Sequence, residues 1–286
     1  MFRKKLSSLQ AKDSHSMKQV IRYFFFIAIS ISTLISCDMV EYHPYDLRVS
    51  GETGINAKNI AKIESTLVGR SEFSFAVVSD TQRWYDETEA CVAAINARAD
   101  VDFVLHTGDL SDFGARHEME MQRDILNRLR VPYVCILGNH DSIATGEHVF
   151  NIIFGDNDFA FTAGDVRFVC LNTNALEFDR SEPVPNFSYI REQFENFPTN
   201  ARRTVIAMHA GPFSEQFDNN TAMMFQYYVR RFPEPMFCLY GHNHQFAVDD
   251  FFDDGLLYYQ CPCAKKRMFL VCKITDEGYE CETVDY

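Results

Sequence analysis

The chain has 286 residues, 47% hydrophobic and 23% charged, which is enough apolar material for a full core and excludes wholesale disorder. Its 13 glycines and 9 prolines follow no period, so collagen-like, low-complexity and repeat architectures are excluded as well. The formal net charge is -13, from 27 Lys+Arg against 40 Asp+Glu, and it is unevenly placed. Residues 1–36 hold six basic side chains and one acid, so residues 37–286 keep 21 basic and 39 acidic residues and carry -18. A body that acidic repels polyphosphate backbones, and no nucleic-acid partner is expected.

At the N-terminus, Lys18 and Arg22 precede the apolar run Tyr23 to Ile35. A basic start, a short apolar run and then small residues predict a secretory signal over 1–36, with a membrane-anchor helix as the alternative. The run falls short of the ~20 residues that span a bilayer. Leu34-Ile35-Ser36-Cys37 resembles the lipobox of bacterial lipoproteins. That resemblance implies a lipid on Cys37, a tether over 37–44 and a place in the bacterial cell envelope, periplasmic or surface-exposed. Met17-Lys18 would make a more usual signal start than Met1.

One domain is expected over 45–286, because no Pro/Gly-rich linker interrupts it. Residues 38–70 are polar and read as the tether followed by an edge element. Strands are predicted at Phe73–Val78, Val101–Leu105 and Tyr133–Leu137, with helices over 86–98 and 115–129 between them. The first helix puts Cys91, Ala94 and Ile95 on one face, and the second aligns Met121, Ile125 and Leu129. Phe159–Phe161 and Val166–Leu171 suggest an antiparallel pair turning at Gly164-Asp165. Thr204–Met208, Phe237–Tyr240, Leu256–Gln260 and Met268–Ile274 complete the strands. Cys135, Cys170 and Cys238 lie inside strand runs and read as buried thiols. Cys261, Cys263, Cys272 and Cys281 lie in the tail, where an oxidising compartment would let some of them pair.

Five of these apolar strands end in groups of Asp, Asn, Gln or His. The groups are Asp80-Thr81-Gln82, Gly108-Asp109-Leu110-Ser111-Asp112, Gly138-Asn139-His140-Asp141, His209, and Gly241-His242-Asn243-His244. In alternating α/β chains, functional groups collect at the carboxyl ends of strands. One such group is ordinary turn chemistry; five, all of metal-ligating residue types, point to a metal site.

In order and spacing the set closely resembles the calcineurin-like metallophosphoesterases, from residue 73 to 244. That resemblance implies a four-layer αββα sandwich of two mixed sheets flanked by helices. It also implies a metal-dependent hydrolase with two divalent metal ions. The position matching Asp109 bridges them; Asp80, Gln82 and His244 complete one ion's ligands, and Asn139, His209 and His242 the other's. His140 would be the proton donor to the leaving group, and Asp112 would orient it. Hydroxide supplied by a metal-bound water would attack the phosphorus. The family's first motif usually ends in His, where this chain has Gln82; members with D-x-Q include manganese-dependent nucleotide-diphosphate hydrolases.

The chemistry suits these residue types. Two cations clamp phosphoryl oxygens and lower the pKa of a bound water towards ~7. The mixed carboxylate, amide and imidazole set fits Mn, Fe or Zn, and the oxygen of Gln82 tilts the expectation to Mn. The expected substrate is a phosphomonoester or phosphodiester of a small molecule. The alternatives are a nucleotide-diphosphate-conjugate pyrophosphatase and a non-catalytic surface-binding lipoprotein that keeps the fold.

Other residues have plainer readings. Asp112 also suits a helix cap near Ala115, and Asp141 suits a brace for its turn. His106 reads as packing, and His117 and His148 as solvated. Trp84, the only tryptophan, either stacks on a substrate ring or covers the core edge. Lys265-Lys266-Arg267 reads as a solvated turn.

Overall fold

The computed structural model describes Met17 and residues 21–27, 46–178 and 183–286. The chain divides into two compact units, Met1–Pro44 and Tyr45–Tyr286. Residues 21–27 are helical. Among the described residues no helix is long and apolar enough to cross a membrane. The lipobox-like segment with Cys37, and the tether, lie outside the described residues.

The second unit contains two mixed sheets. The first has the order β11-β10-β1-β2-β3, built from β1 (Phe73–Val78), β2 (Phe103–His106), β3 (Tyr133–Cys135), β10 (Met268–Thr275) and β11 (Gly278–Asp285). The second has the order β4-β5-β6-β7-β9-β8, from β4 (Phe159–Ala163), β5 (Val166–Leu171), β6 (Arg203–Met208), β7 (Pro235–Tyr240), β8 (Ala247–Asp249) and β9 (Tyr258–Gln260). Strands β1, β2 and β3 run parallel, as do β5, β6, β7 and β9.

Side-chain alternation sorts the strands into layers. Phe75 and Val77 of β1, Phe103 and Leu105 of β2, Phe168 of β5, Val205 of β6 and Phe237 of β7 meet between the sheets. The intervening residues face outward: Ala76, Val78 and Val104 pack with α2 (Tyr85–Asn96), α3 (Arg116–Leu126) and α4 (Gly146–Ile153). On the far side Val169, Ile206 and Cys238 pack with α5 (Phe187–Glu195) and α6 (Ala222–Val229). The result is the αββα sandwich. Both faces of the central strands are buried, which is why β1 reads as an unbroken apolar run. Aromatic rings fill the centre: Phe75 stacks on Phe103 at 5.0 Å and Phe161 on Phe168 at 4.9 Å.

Residues 45–70 form more than a polar edge element. Ile55–Leu67 is a helix, α1, which buries Ile63 and Leu67 between the sheets. Its polar side chains close an open sheet edge. Asn56 donates to the Cys135 carbonyl and accepts from the Cys135 N–H, and Asn59 donates to the Tyr133 carbonyl. Amides that pair with the free edge of β3 do what a further strand would do. A hydrophobic pattern cannot announce that.

The stripe on α3 is also corrected. Ile125 is buried and Leu129 packs against the same core, but Met121 is exposed, and the buried face also carries Met119, Gln122 and Leu126. Gln122 fixes this rotation by donating to the Thr81 carbonyl at 2.6 Å, behind the first metal-site loop. In the tail, a disulfide joins Cys272 to Cys281 across β10 and β11, while Cys261 and Cys263 are free. Cys135, Cys170 and Cys238 are buried thiols, as expected.

Candidate metal centre

Both parallel strand sets end at one rim, and the loops leaving that rim carry the candidate ligands. Asp80 and Gln82 follow β1, Asp109 follows β2, Asn139 follows β3, His209 follows β6, and His242 and His244 follow β7. Asp80, Asp109, His242 and His244 all have positive φ, between 49° and 71°. Non-glycine residues rarely adopt this conformation, and each instance costs about 1–3 kcal/mol. Four at one rim mean that the surrounding fold imposes the geometry. Gly138 and Gly241 allow the loops to close: a Cβ on Gly138 would run into the Asp109 backbone nitrogen and Oδ1, and one on Gly241 into Ser79 Oγ.

All seven predicted ligands come together. Asp109, His209 and His242 place ligand atoms within 4.8 Å of one another, as do Asp80, Asp109 and His244. Asp109 is the member common to both groups. Asn139 joins the former, with its Oδ1 3.0 Å from His209 Nε2 and 3.1 Å from His242 Nδ1. Gln82 joins the latter, with its Nε2 3.5 Å from Asp109 Oδ2.

The fit to cations rests on atoms that hydrogen bonding leaves over. Asp80 Oδ1 and Gln82 Oε1 are buried without a hydrogen-bond partner, a costly arrangement that a bound cation would relieve. Asp80 Oδ1 lies 3.3 Å from His244 Nε2, inside the group of Asp80, Asp109 and His244. His209 Nδ1 donates to the Thr107 carbonyl at 2.8 Å, which leaves Nε2 free to face the group.

Charge within the site is tightly balanced. Burial works to raise the Asp109 carboxyl, but the neighbouring His209 and His140 outweigh it and hold the group at about 2. Burial works to lower His209, and the carboxylates of Asp109 and Asp80 overcome it, raising the imidazole to about 9. The pull of two carboxylates on a buried imidazole marks a place that attracts positive charge.

His140 sits at the edge of this set. Its backbone N–H donates to Asp109 Oδ1 at 3.0 Å, and its Nδ1 donates to the backbone carbonyl of Asp112 at 2.8 Å. The Asp112 carboxylate stands 3.9 Å from Nδ1 and makes its ion pair with Arg83. The main-chain carbonyl of Asp112 thus holds His140 Nδ1 more closely than does the carboxylate expected from sequence. Nor does Asp112 cap α3: Glu118 accepts there from the N–H groups of Asp112, Phe113 and Ala115.

Asp141 is a brace. It accepts from the N–H groups of Leu110, Ser111 and Gly138 and from Ser111 Oγ, tying the second and third loops together. Burial, and then the charge of Asp109, push its carboxyl up to about 6. His106 packs beneath Asp80, bonded to Thr81 Oγ1, and burial lowers it to about 4. Sequence reading missed Glu215, whose carboxylate lies 3.0 Å from His242 Nε2. It sits in a loop with no spacing relation to any motif. His117 and His148 are exposed.

Comparison with known proteins agrees with this geometry. The model of the calcineurin-like phosphoesterase family matches residues 73–246, more than half of the chain. A 3′,5′-cyclic-nucleotide phosphodiesterase of Nostoc sp. is 26% identical over 156 residues, which cover 52% of this chain and 58% of that protein. The chain thus aligns with little more than half the length of that relative. Among solved structures, a dimetal phosphatase from Danio rerio shares the fold with a TM-score of 0.57 at 12% identity, covering 75% of this chain and 99% of its own. A purple acid phosphatase from yellow lupin seeds gives 0.58 at 13% identity, covering 76% and 52%. A matched family model over the segment that carries every candidate ligand makes this chain a member of the calcineurin-like phosphoesterase family.

Proposed function

We propose that the chain hydrolyses a phosphomonoester or phosphodiester of a small molecule at a dinuclear metal centre. The observation that carries this reading is Asp109, one buried carboxylate common to both ligand groups. Asp80, Gln82, Asp109 and His244 would hold one ion, and Asp109, Asn139, His209 and His242 the other. Once bound, two divalent ions supply charge for the phosphoryl oxygens and acidify a water to serve as nucleophile.

The remaining work falls to the protein. With Nδ1–H committed to the Asp112 carbonyl, Nε2 of His140 is the atom left to carry a transferable proton. His140 gives that proton to the departing oxygen, and His242, backed by Glu215, is kept in one orientation. The oxygen-rich first group favours Mn. The lipobox-like Leu34-Ile35-Ser36-Cys37 supports a lipid anchor in the cell envelope, and the Cys272–Cys281 disulfide supports an oxidising compartment.

The test is release of p-nitrophenol from its phosphate mono- and diesters, after chelation and after return of Mn, Zn or Fe. Metal-restored release is expected. Turnover that survives exhaustive chelation contradicts the reading. For the anchor, Cys37→Ser should move the protein from the membrane to the soluble fraction.

A further inference from the structure

Beside the metal centre, the turn Ala264–Lys266 is fastened to the loop that carries Asp80. Cys263 forms a parallel bridge to Ser79, and the Ala264 N–H donates to the Asp80 carbonyl at 3.2 Å. Cys263 Sγ also lies 3.7 Å from the His244 carbonyl. A turn whose only business is solvent needs none of these links.

Between this turn and the metal loop lies an open cleft of about 430 Å³. It is lined by Trp84, Asn243, His244, Gln245, Lys265 and Lys266, together with Cys263. None of the lining residues is acidic, in a chain whose residues 37–286 carry a formal charge of -18. The third cation of the basic run is committed elsewhere: Arg267 Nε donates to the Tyr286 carbonyl at 3.1 Å, and its guanidinium lies over the Tyr286 ring. Two ammonium groups therefore remain for the cleft. At its inner end the Trp84 ring meets the His244 ring edge to face at 5.7 Å, which sets an aromatic surface directly against a candidate metal ligand.

We propose that this cleft receives the part of the substrate beyond the scissile phosphorus: an aromatic ring against Trp84 and a further anionic group on Lys265 and Lys266. The chemical class is a nucleotide carrying a second phosphate, with Asn243 and Gln245 available to its heteroatoms. The proposal rests on the phosphohydrolase reading above, because it places that substrate's phosphorus at the metal centre. Aromatic side chains stack on any base, and two partly exposed ammonium–phosphate pairs together contribute about tenfold in affinity.

Trp84 is the only tryptophan, so selectively excited tryptophan fluorescence comes from this cleft. The experiment titrates the magnesium-loaded full chain with a non-hydrolysable methylene analogue of ADP, with adenosine and with inorganic phosphate. The analogue should quench Trp84 saturably and bind more tightly than either fragment. In the double variant Lys265→Gln/Lys266→Gln its affinity should fall about tenfold, with that of adenosine unchanged. Equal binding of adenosine and the analogue overturns the anionic half, and equal binding of inorganic phosphate and the analogue overturns the aromatic half. No quench by any of the three overturns both. Release of p-nitrophenol from its diester by the wild type separates the two readings. Dye release without lysine-dependent binding sinks the cleft alone, and lysine-dependent binding without dye release sinks the hydrolase alone.

Discussion

The two ligand groups around Asp109 are built from different materials. The group of Asp80, Gln82, Asp109 and His244 offers three oxygen ligands and one imidazole. The group of Asp109, Asn139, His209 and His242 offers two of each, and Asn139 Oδ1 already lies within hydrogen-bond range of both imidazoles. Burial differs as well. His209 is fully buried, whereas the His244 side chain is 39% exposed at the mouth of the lysine cleft. Harder oxygen donors suit Mn or Mg, and imidazole-rich sites suit Zn or Fe. One carboxylate thus joins a more closed half with two imidazoles to an oxygen-rich half that is open at His244, and the open half is the one that borders the cleft.

Removing the shared carboxylate is the harshest way to break that contrast. Asp109→Asn leaves neither half enough negative charge, and both ions and ~10⁴-fold or more of the activity should go together. Metal analysis and dye release on the same sample check this, and two retained ions with normal turnover would contradict the assignment. Next in size is His140→Ala. Both halves keep their ligands, so metal content should hold while kcat drops roughly 10²–10⁴-fold. The drop should shrink for substrates whose leaving group needs no proton. Loss of metal from this variant would make His140 a ligand.

Gln82→His sharpens the contrast by making the open half resemble the closed one. First-site affinity for Zn or Fe should rise about tenfold relative to Mn. A new imidazole must shed its proton to ligate, so binding should also fall more steeply below about pH 6.5. Metal titrations of both proteins at two pH values decide; identical rankings and pH dependence exclude residue 82 from the site. The smallest effect is expected for Asp112→Asn. The main-chain carbonyl that holds His140 Nδ1 is untouched, and kcat should change by less than about tenfold. A loss as large as that of His140→Ala would restore the carboxylate role inferred from sequence.

The central strands and the candidate ligands were legible because each is a local signal. A strand buried on both faces is an unbroken apolar run, as Phe73–Val78 is, and a ligand loop is polar residues immediately after it. What sequence reading missed depends on distant partners. The helix Ile55–Leu67 was hidden because its Asn56 and Asn59 serve the edge of β3, more than 70 residues away. Met121 was wrongly placed on the buried face of α3 because Gln122, a polar residue, is buried to hold Thr81. Asp112 supplies a carbonyl where its side chain suggested a carboxylate, and no sequence distinguishes the two. Lys265 and Lys266 read as solvated turn residues because nothing in their own segment reveals the bridge from Cys263 to Ser79.

The most direct measurement is a stepwise metal titration of the chelated wild-type protein, with bound ions and p-nitrophenol release followed together. Two ions per chain are expected, bound with unequal affinity and with different metal preferences, and activity should rise with the second equivalent. Full activity at one ion per chain, or with none, would contradict a centre bridged by Asp109.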